Sequence, residues 1–467
     1  MMLRATRLSK GVHIMRKPLT LLLFCALSLT TNAATTRPGT RPQMGPRPNI
    51  ILIMADDQGY ETIAANGGTS YKTPHIDRLA ANGMRFENAY AHPLCTPSRV
   101  ALMTGQYNFR NYTSFGELRL SEKTFGNVLR DAGYRTAIVG KWQLSERDFQ
   151  APFHFGFEEY LLWHFGMRVN GVPTPGAQGS RYWDPVFYHN GTLLPDTKGH
   201  FGPDVMADFV DGYIQKHRAE PFFLYYPLVL PHDPWVEPPD YPTAGDFPGE
   251  IRAGGQRGRL PGAKESEERQ RRFAAMVEYV DKLVGRVTAQ LDALHLTEKT
   301  LVLFTGDNGT HPALRSTIKG REMNGDKGRP TDAGTHVPLI AQWKGHIPPG
   351  TINQDLIDFT DFLPTLAEVA GARLRAGVTV DGRSFAPQLR GQKGQPREWI
   401  FCHYDPRWAN FQFTRYAQDT QYKLYQDGVL YDYRRDPMET NPLAQTSLTP
   451  AQDASRRKLQ TVLDTLR

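Results

Sequence analysis

The chain has 467 residues, of which 40% are hydrophobic and 22% are charged. This is enough for one large domain and a smaller one, and the composition excludes a disordered or fibrous protein. Residues 1–33 hold five of the 55 basic residues and no acidic residue, so the rest of the chain carries 50 basic and 48 acidic residues, a net charge of +2. Charge therefore gives no reason to expect a nucleic-acid partner.

The first 33 residues have the pattern of an export signal. A positive start at Met15–Lys17 precedes the apolar run Leu19–Leu29, and a small-residue cleavage site ends at Ala33. The run is too short to span a bilayer comfortably, although a membrane anchor is the alternative interpretation. We predict a signal peptide over 1–33, a linker over 34–46, and export to the periplasm or the extracellular space without stable membrane insertion.

Continuous apolar runs alternate with helical patterns between residues 47 and 371. Such runs are typical of buried parallel strands, and helices between them would cover both faces of the sheet. We therefore predict an α/β catalytic domain over 47–371, with a large, mostly parallel sheet sandwiched by helices. The predicted strands are Asn49–Ala55, Arg135–Val139, Pro221–Leu230 and Thr300–Thr305, and the predicted helices include Phe273–Leu294 and Asp355–Gly371.

The pattern shortens after Gly371. Trp399–Tyr404 and Tyr422–Tyr433 predict strands of a small antiparallel sheet, and Ala451–Arg467 predicts a closing helix. We expect a smaller C-terminal α+β domain over 372–467.

Carboxylates and an amide follow two of the predicted strands directly. Asp56 and Asp57 follow the first strand, and Asp307 and Asn308 follow the fourth. Each pair alone could be a helix cap or a turn, but the carboxyl ends of parallel strands meet at one edge of a sheet. Three carboxylates and one amide oxygen suit Ca²⁺, with Mg²⁺ as second choice, and lack the His and Cys ligands typical of zinc.

Basic residues are predicted near the same edge. Lys141 and His232 also follow apolar runs, and Arg99 and Lys327 complete the set. A cation surrounded by such residues is what an oxyanion such as sulfate or phosphate needs as charge develops on it.

Cys95 and Cys402 are the cysteines that remain after the signal. They could form one disulfide in an exported protein, or Cys95 could be an inert buried thiol. Pro97 fits the first turn of a helix, which would place Cys95 at a helix N-terminus with Arg99 one turn further on. Residue 95 is thus positioned like a nucleophile beside a cation.

The stretch Cys95-Thr96-Pro97-Ser98-Arg99, followed by Leu102 and Thr104-Gly105, resembles the signature of the type I, formylglycine-dependent sulfatases. Other family-like blocks occur in the family's order and span roughly residues 47–440. These blocks are Ala55-Asp56-Asp57, Gly140-Lys141-Trp142, Pro231-His232, Gly306-Asp307-Asn308-Gly309, Lys327-Gly328, Leu430-Tyr431-Asp432 and Asp436-Pro437.

The resemblance implies an alkaline phosphatase-like fold and a sulfatase whose Cys95 is converted to Cα-formylglycine by a formylglycine-generating enzyme. One hydroxyl of the hydrated aldehyde would attack sulfur, and the other would help to expel sulfate. The implied metal ligands are Asp56, Asp57, Asp307, Asn308 and an oxygen of residue 95. The other implied roles are Arg99 steadying the hydrate, Lys141 and Lys327 binding sulfate oxygens, and His232 contacting the ester oxygen as a possible general acid.

The chain departs from the family pattern at one position. Where the family usually shows Gly-Lys-Trp-His-Leu-Gly, this chain reads Gly140-Lys141-Trp142-Gln143-Leu144-Ser145. Gln143 can still donate a hydrogen bond to a substrate, but it cannot carry a titrating proton. This puts any proton-transfer role at that position in doubt.

The substrate is expected to be a sulfated saccharide or small molecule. His311 and Arg315 belong to a basic rim predicted to bind it. Trp235, Trp408 and Tyr416 are candidates for stacking on sugar rings, and the core is the equal alternative for them. Two alternatives stay open at this point: a phosphonate monoester or phosphodiester hydrolase on the same scaffold, and a non-catalytic sulfoglycan-binding protein.

Overall fold

The computed structural model describes residues 47–145, 148–163, 168–169, 172–173, 180–241, 262–374 and 377–466. The predicted signal peptide and linker lie outside these residues. Within them, no helix has both the length and the apolar character that crossing a membrane requires.

Eighteen strands and eleven α-helices are formed by the described residues. The strands are β1 Asn49–Ala55, β2 Met84–Tyr90, β3 Arg135–Lys141, β4 Glu159–Trp163, β5 Arg168–Val169, β6 Val172–Pro173, β7 Phe187–His189, β8 Thr192–Leu193, β9 Phe222–Pro227, β10 Thr300–Gly306, β11 Arg315–Ile318, β12 Arg321–Asn324, β13 Leu339–Gln342, β14 Thr351–Asp358, β15 Ile400–Tyr404, β16 Thr414–Gln418, β17 Tyr422–Tyr425 and β18 Leu430–Asp432. The helices are α1 Pro74–Ala81, α2 Cys95–Thr104, α3 Asn108–Asn111, α4 Phe125–Asp131, α5 Ala151–His154, α6 Gly202–His217, α7 Gly262–Ala293, α8 Asp332–Thr335, α9 Phe362–Val369, α10 Ala386–Leu389 and α11 Pro450–Thr465.

A ten-stranded mixed sheet organises the described part of the catalytic region. Its order is β14-β2-β13-β10-β1-β9-β3-β4-β7-β8. The five central strands, from β10 to β4, are parallel to one another, and antiparallel pairing begins at β13 on one side and at β7 on the other. The predicted α/β class with a large sheet is confirmed, and its parallel part is the centre of the sheet.

Both faces of the sheet are covered by helices. Alternate side chains of β1 point to opposite faces, so Ile50, Leu52 and Met54 belong to one core cluster and Ile51, Ile53 and Ala55 to another. Helices α2 and α9 contribute to the first cluster, and α6 and α7 contribute to the second. Burial on both faces explains why the central strands are apolar throughout.

The predicted helix over Asp355–Gly371 is wrong in its first part. Residues Thr351–Asp358 form β14, which pairs with β2 in parallel, and the helix is limited to Phe362–Val369. Pairing of Leu356 and Ile357 with β2 past a β-bulge buries both side chains. Tertiary pairing thus overrides a local pattern that has helical spacing.

A four-stranded antiparallel sheet, β15-β16-β17-β18, forms the smaller C-terminal part, and α11 packs on it. A fully buried ion pair joins this sheet to the loop after Lys327: Lys423 Nζ lies 2.7 Å from Glu439 Oε1 and donates to the carbonyl of Pro330 at 2.6 Å. Glu439 in turn accepts from the backbone N–H of Asp332 at 2.8 Å. The small sheet therefore positions a loop of the large domain.

Candidate active site

The predicted metal ligands come together because β1 and β10 are neighbours in register. Ala55 is paired with Gly306, so Asp56 and Asp307 emerge side by side at the carboxyl edge of the sheet. The backbone N–H of Asp57 donates to Asp307 Oδ1 at 3.0 Å, and Asn308 Nδ2 donates to Asp57 Oδ1 at 2.9 Å. All four side chains are buried. Asp57 has φ of 66°, a left-handed conformation that is uncommon for a residue other than Gly, Asn or Asp.

Three of the predicted basic residues are bound to these carboxylates. Lys141 Nζ lies 2.8 Å from both oxygens of Asp56, and Lys327 Nζ lies 2.5 Å from Asp57 Oδ2. Arg99 Nη2 donates to Asp307 Oδ2 at 2.8 Å. Lys141 is the last residue of β3, so its position is set by the central sheet, and Lys327 lies on the loop held by the C-terminal sheet.

The cations keep one of the buried carboxylates ionised. Burial alone would raise the pKa of Asp56, but the charge of Lys141 and its neighbouring cations outweighs burial and holds this pKa well below its usual range. Burial and the charge of Asp56 raise the pKa of Asp307. Lys327 is also buried, yet the charge of Asp57 raises its pKa. The three carboxylates and their cations thus form one electrostatic unit.

Cys95 is the first residue of α2 and is 2% exposed. Ser98 fixes this turn, because its hydroxyl accepts from the N–H of His92 and shares its one proton between the carbonyls of Leu94 at 2.9 Å and His92 at 3.1 Å. The charges of Lys141 and Lys327 act on the thiol, but burial dominates and raises its pKa. An unmodified Cys95 is therefore a poor nucleophile at neutral pH. Cys95 and Cys402 are both free thiols, so the disulfide alternative is wrong.

His232 faces Lys327 across the site. Its Nδ1 lies 2.6 Å from the carbonyl oxygen of Asp233, and its Nε2 lies 3.1 Å from Lys327 Nζ. Burial and the charge of Lys327 lower the pKa of His232 well below its ordinary value. The neutral tautomer that fits both contacts donates from Nδ1 and accepts from Lys327 at Nε2.

The three residues predicted to bind substrate lie in different environments. Gln143 is 6% exposed, has φ of 53°, and its Oε1 has no hydrogen-bond partner among the described residues. His311 packs edge-on against Trp235 with ring centroids 5.2 Å apart. Arg315 is an exposed residue of β11 whose backbone, by contrast, is held by Gln270. Among the described residues, no hydrogen bond or ion pair joins the Arg315 guanidinium to the carboxylates, so its role stays a prediction.

Of the aromatic candidates, Trp408 is 47% exposed and Tyr416 is 1% exposed. Tyr416 belongs to the core around Cys95 and Cys402, so of its two interpretations the core one is confirmed and stacking on a sugar is excluded. Trp408 stacks on Phe115 at 4.4 Å and on Phe411 at 6.0 Å between ring centroids. We call Phe115, Trp408 and Phe411 the aromatic shelf.

The aromatic shelf adjoins the site. A Cβ built on Gly328, the residue after Lys327, would lie 2.3 Å from the ring of Phe411, and Phe115 and Phe411 pack against the cluster that contains Cys95. The shelf therefore lies between the residue that follows Lys327 and the cluster that contains Cys95.

Sequence reasoning missed Arg181. Its guanidinium lies over the ring of Trp163 at 4.1 Å, and its Nη1 is 3.8 Å from Asp56 Oδ2. Arg181 follows no apolar run and belongs to no motif, so the sequence offers no signal beyond its type. The structure brings it in because β4 lies beside β3 and ends in Trp163, the register partner of Lys141.

The donors fit a hard divalent cation. Asp56, Asp57 and Asp307 supply buried carboxylate oxygens, and Asn308 Oδ1 is a buried oxygen that has no hydrogen-bond partner among the described residues. Oxygen-only donors of this kind suit Ca²⁺ or Mg²⁺. Among His, Cys, Asp and Glu of the described chain, the set with ligand atoms within 4.8 Å of one another is Asp56, Asp57 and His232. Asp307 is instead engaged by Arg99 and the N–H of Asp57.

Comparisons with known proteins identify the family of this chain. A family model described as Sulfatase matches residues 48–372, and one described as N-sulphoglucosamine sulphohydrolase, C-terminal, matches residues 326–466. Arylsulfatase A of Bos taurus is 33% identical over 398 residues, which cover 76% of this chain and 70% of that protein. N-acetylgalactosamine-6-sulfatase of Rattus norvegicus is 31% identical over 369 residues, which cover 73% of this chain and 66% of that protein.

Solved structures share the fold at lower identity. Ps i-CgsB in complex with a neocarrahexaose aligns with a TM-score of 0.71 and 23% identity, covering 90% of this chain and 92% of that chain. A protein in complex with its substrate D-glucosamine-2-N,6-O-disulfate gives 0.69 and 20%, covering 90% and 98%. The phosphonate monoester hydrolase of Agrobacterium radiobacter gives 0.64 and 22%, covering 90% and 95%.

The mixed sheet defines the fold class that this chain shares with the phosphonate monoester hydrolase of Agrobacterium radiobacter. Within that class, the match over 48–372 and the curated relatives are specific: this chain belongs to the sulfatase family and is a sulfuric ester hydrolase. The predicted family and enzyme class are thus confirmed.

Proposed function

We propose that this chain is an exported sulfatase that hydrolyses a sulfate ester on a carbohydrate, with residue 95 as formylglycine and a bound divalent cation. The observation that carries the proposal is that α2, which begins with Cys95, is tied to the buried carboxylates through Arg99, and that Lys141 and Lys327 bind the same group of carboxylates. The raised pKa of the Cys95 thiol supports modification, because the thiol itself is poorly suited to attack.

Asp56, Asp57, Asp307 and Asn308 would hold the cation, with Ca²⁺ as first choice and Mg²⁺ as second. When bound, such an ion polarises a sulfate oxygen and lowers the pKa of a nearby hydroxyl. Arg99 would orient residue 95, since its guanidinium already ties α2 to Asp307 and to the carbonyl of Lys141.

Maturation replaces the Cys95 C–S bond by a C=O bond. In the net balance the thiol and one water give the aldehyde, hydrogen sulfide, two protons and two electrons, and the electrons would pass to an external oxidant used by a separate formylglycine-generating enzyme. In the hydrated aldehyde, one hydroxyl attacks sulfur as the bond from sulfur to the alcohol oxygen breaks. The second hydroxyl then loses its proton, the C–O bond to sulfate breaks, and the aldehyde is regenerated with release of sulfate.

Lys141 and Lys327 would bind sulfate oxygens through this sequence. Lys327 and His232, whose nitrogens are 3.1 Å apart, are the groups placed to give the leaving alcohol its proton. Burial and the charge of Lys327 lower the pKa of His232 in the free site, where His232 accepts from Lys327, and His232 would face the ester oxygen when substrate binds.

A carbohydrate substrate is supported by two independent features. The solved structures with a bound neocarrahexaose and a bound glucosamine disulfate share this fold, and the aromatic shelf offers a half-exposed Trp408 beside Gly328. Aromatic faces provide the apolar contact that sugar rings need next to a polar pocket. Export is supported by the signal-like pattern of residues 1–33.

The test is a mass spectrum of the peptide containing residue 95, from protein made in a host able to mature it, followed by sulfate release from a panel of sulfated saccharides. An aldehyde or its hydrate and released sulfate are expected. A thiol that persists when a maturing enzyme is co-expressed would contradict the proposal. Parallel rates on phosphonate monoesters and phosphodiesters decide the alternative, which would be favoured if those rates exceed the rates on sulfate esters.

A further inference from the structure

Arg181 is a nearly buried cation at the active site that the catalytic scheme above does not use. Its side chain is 12% exposed, and its Nη1 has no hydrogen-bond partner among the described residues although that atom is buried. A buried N–H without a partner costs roughly 1–3 kcal/mol, and more for a charged group. Such an atom next to a substrate pocket calls for a functional explanation.

The position of Arg181 is fixed from several sides. Its guanidinium is stacked over Trp163, which ends β4 beside Lys141 of β3. Its carbonyl packs tightly against the start of α6, since a Cβ on Gly202 would lie 2.2 Å from that oxygen. Contacts on both its side chain and its backbone therefore fix the conformation of Arg181.

The two residues after Arg181 contact the loop that carries His232. The hydroxyl of Tyr182 donates to the carbonyls of Val229 and His232, and Trp183 Nε1 donates to the carbonyl of Glu237 at 3.0 Å. Three consecutive residues thus form one wall of the site. Arg181 is the one whose charge faces inward, because its Nη1 is 3.8 Å from Asp56 Oδ2.

The other site cations are already engaged. Lys141 bonds both oxygens of Asp56, Lys327 bonds Asp57, and Arg99 bonds Asp307 and the carbonyl of Lys141. Arg181 differs from them, since its Nη1 can donate to an incoming anion without breaking a hydrogen bond to a described residue. A guanidinium is also the side chain best suited to planar recognition of an oxyanion.

We infer that Arg181 binds an oxygen of the sulfate group from the β4 side of the pocket, an inference that rests on the proposed function. Trp163 holds the guanidinium in the plane that presents Nη1 to the anion. Because Arg181 is a donor of fixed charge, it strengthens binding of sulfate both as part of the ester and as the released product.

The experiment measures binding of inorganic sulfate by calorimetry to matured wild-type protein and to Arg181→Gln and Arg181→Lys. We expect glutamine to weaken sulfate binding about 10- to 100-fold, the loss expected for one charge-assisted hydrogen bond in a desolvated site, and lysine to recover part of it. The KM for a sulfate ester should rise with the sulfate dissociation constant. If the glutamine variant does not fold, Arg181→Lys and Trp163→Leu carry the test, each with weaker sulfate binding than wild type.

The matched control is Arg110→Gln. Arg110 also lies over an aromatic ring, Phe109, and pairs with a carboxylate, Asp381, but it is outside the site. Unchanged sulfate binding in the Arg181 variants, or an equal loss in Arg110→Gln, overturns the inference, as does a rise in KM with unchanged sulfate binding. Calorimetry does not depend on turnover, so a wild-type protein that binds sulfate through Arg181 but releases none from any ester would refute the proposed function alone.

Discussion

The buried pair Lys423–Glu439 offers a quantitative test of how the C-terminal sheet supports the site. Lys423 is 0% exposed and Glu439 is 2% exposed at the side chain, and their charged atoms are 2.7 Å apart. Lys423→Met keeps the length of the side chain and removes the charge, which leaves the Glu439 carboxylate buried without its cation. Removal of one partner from a buried pair costs about 3–5 kcal/mol.

The lower end of that range is expected here. Glu439 keeps two other donors, the hydroxyl of Tyr425 and the backbone N–H of Asp332. We therefore predict that Lys423→Met lowers the free energy of unfolding by about 3 kcal/mol at pH 7. Activity should fall too, because Lys423 holds the carbonyl of Pro330 on the loop after Lys327.

The loss should depend on pH in a defined direction. Burial raises the pKa of Glu439 even with Lys423 beside it, and removal of Lys423 raises that pKa further. An acid whose pKa is raised by folding destabilises the folded state when the pH rises. The loss begins near the pKa of the acid in the unfolded chain and grows as the pH passes its pKa in the folded chain. The deficit of Lys423→Met relative to wild type should therefore shrink when the pH is lowered from neutral toward the unfolded pKa of a glutamate.

The assay is equilibrium unfolding in urea, followed by intrinsic fluorescence at two pH values. Lys344→Met is the matched control, because Lys344 also pairs with a glutamate, Glu298, at 3.0 Å, but both side chains are more than half exposed. Exposed pairs contribute about 0–1 kcal/mol. Equal losses in the two variants, or a deficit for Lys423→Met that grows at lower pH, would refute the reasoning.

Three further predictions concern the chemistry. Cys95→Ser should lower steady-state turnover at least about 10³-fold, because serine lacks the second hydroxyl that expels sulfate. Mass spectrometry of this variant should find at most one sulfate bound per chain. Sustained turnover by Cys95→Ser would contradict the formylglycine scheme. Chelation should lower the melting temperature of the matured protein, and Ca²⁺ should restore it better than Mg²⁺. The melting temperature of Asp57→Asn should respond far less to chelator and to added ion. A calorimetric melting temperature that chelator leaves unchanged argues against the cation. Trp408→Ala should raise the KM for a sulfated saccharide about 3- to 10-fold without weakening the binding of inorganic sulfate. Phe413 is 47% exposed like Trp408 but packs on His403, so Phe413→Ala should leave this KM unchanged. Equal effects of the two substitutions would exclude a role of the aromatic shelf in substrate binding.

The sequence predicts the centre of the fold better than its edges. Strand β1 was predicted with its observed bounds, because burial on both faces leaves an unbroken apolar run that only a central strand explains. Strand β14 was missed, because its apolar pair Leu356–Ile357 merges into the helical pattern of α9 and its pairing with β2 is a long-range event.

The candidate site shows the same division. Asp56, Lys141 and Asp307 end strands or follow them directly, so a local pattern locates them before any coordinates are known. Arg181 lies after no strand, and its approach to Asp56 depends on how β4 and α6 are placed. Position in a motif can be predicted from one sequence, whereas proximity created by packing cannot.

The pairing of β1 with β10 also determines when, during translation, the central sheet can form. Asn49 and Thr300 are 251 positions apart, so the sheet that buries Cys95 cannot close until β10 has been made. About 200 residues separate Cys95 from β10, which at 5–20 residues per second gives roughly 10 to 40 s of synthesis. During this interval Cys95 would lie in an unfolded segment within reach of the proposed modifying enzyme, whereas in the folded chain Cys95 is 2% exposed. A slower or faster passage of the ribosome between these two points should therefore change the fraction of molecules that become active, without any change in the sequence of the protein.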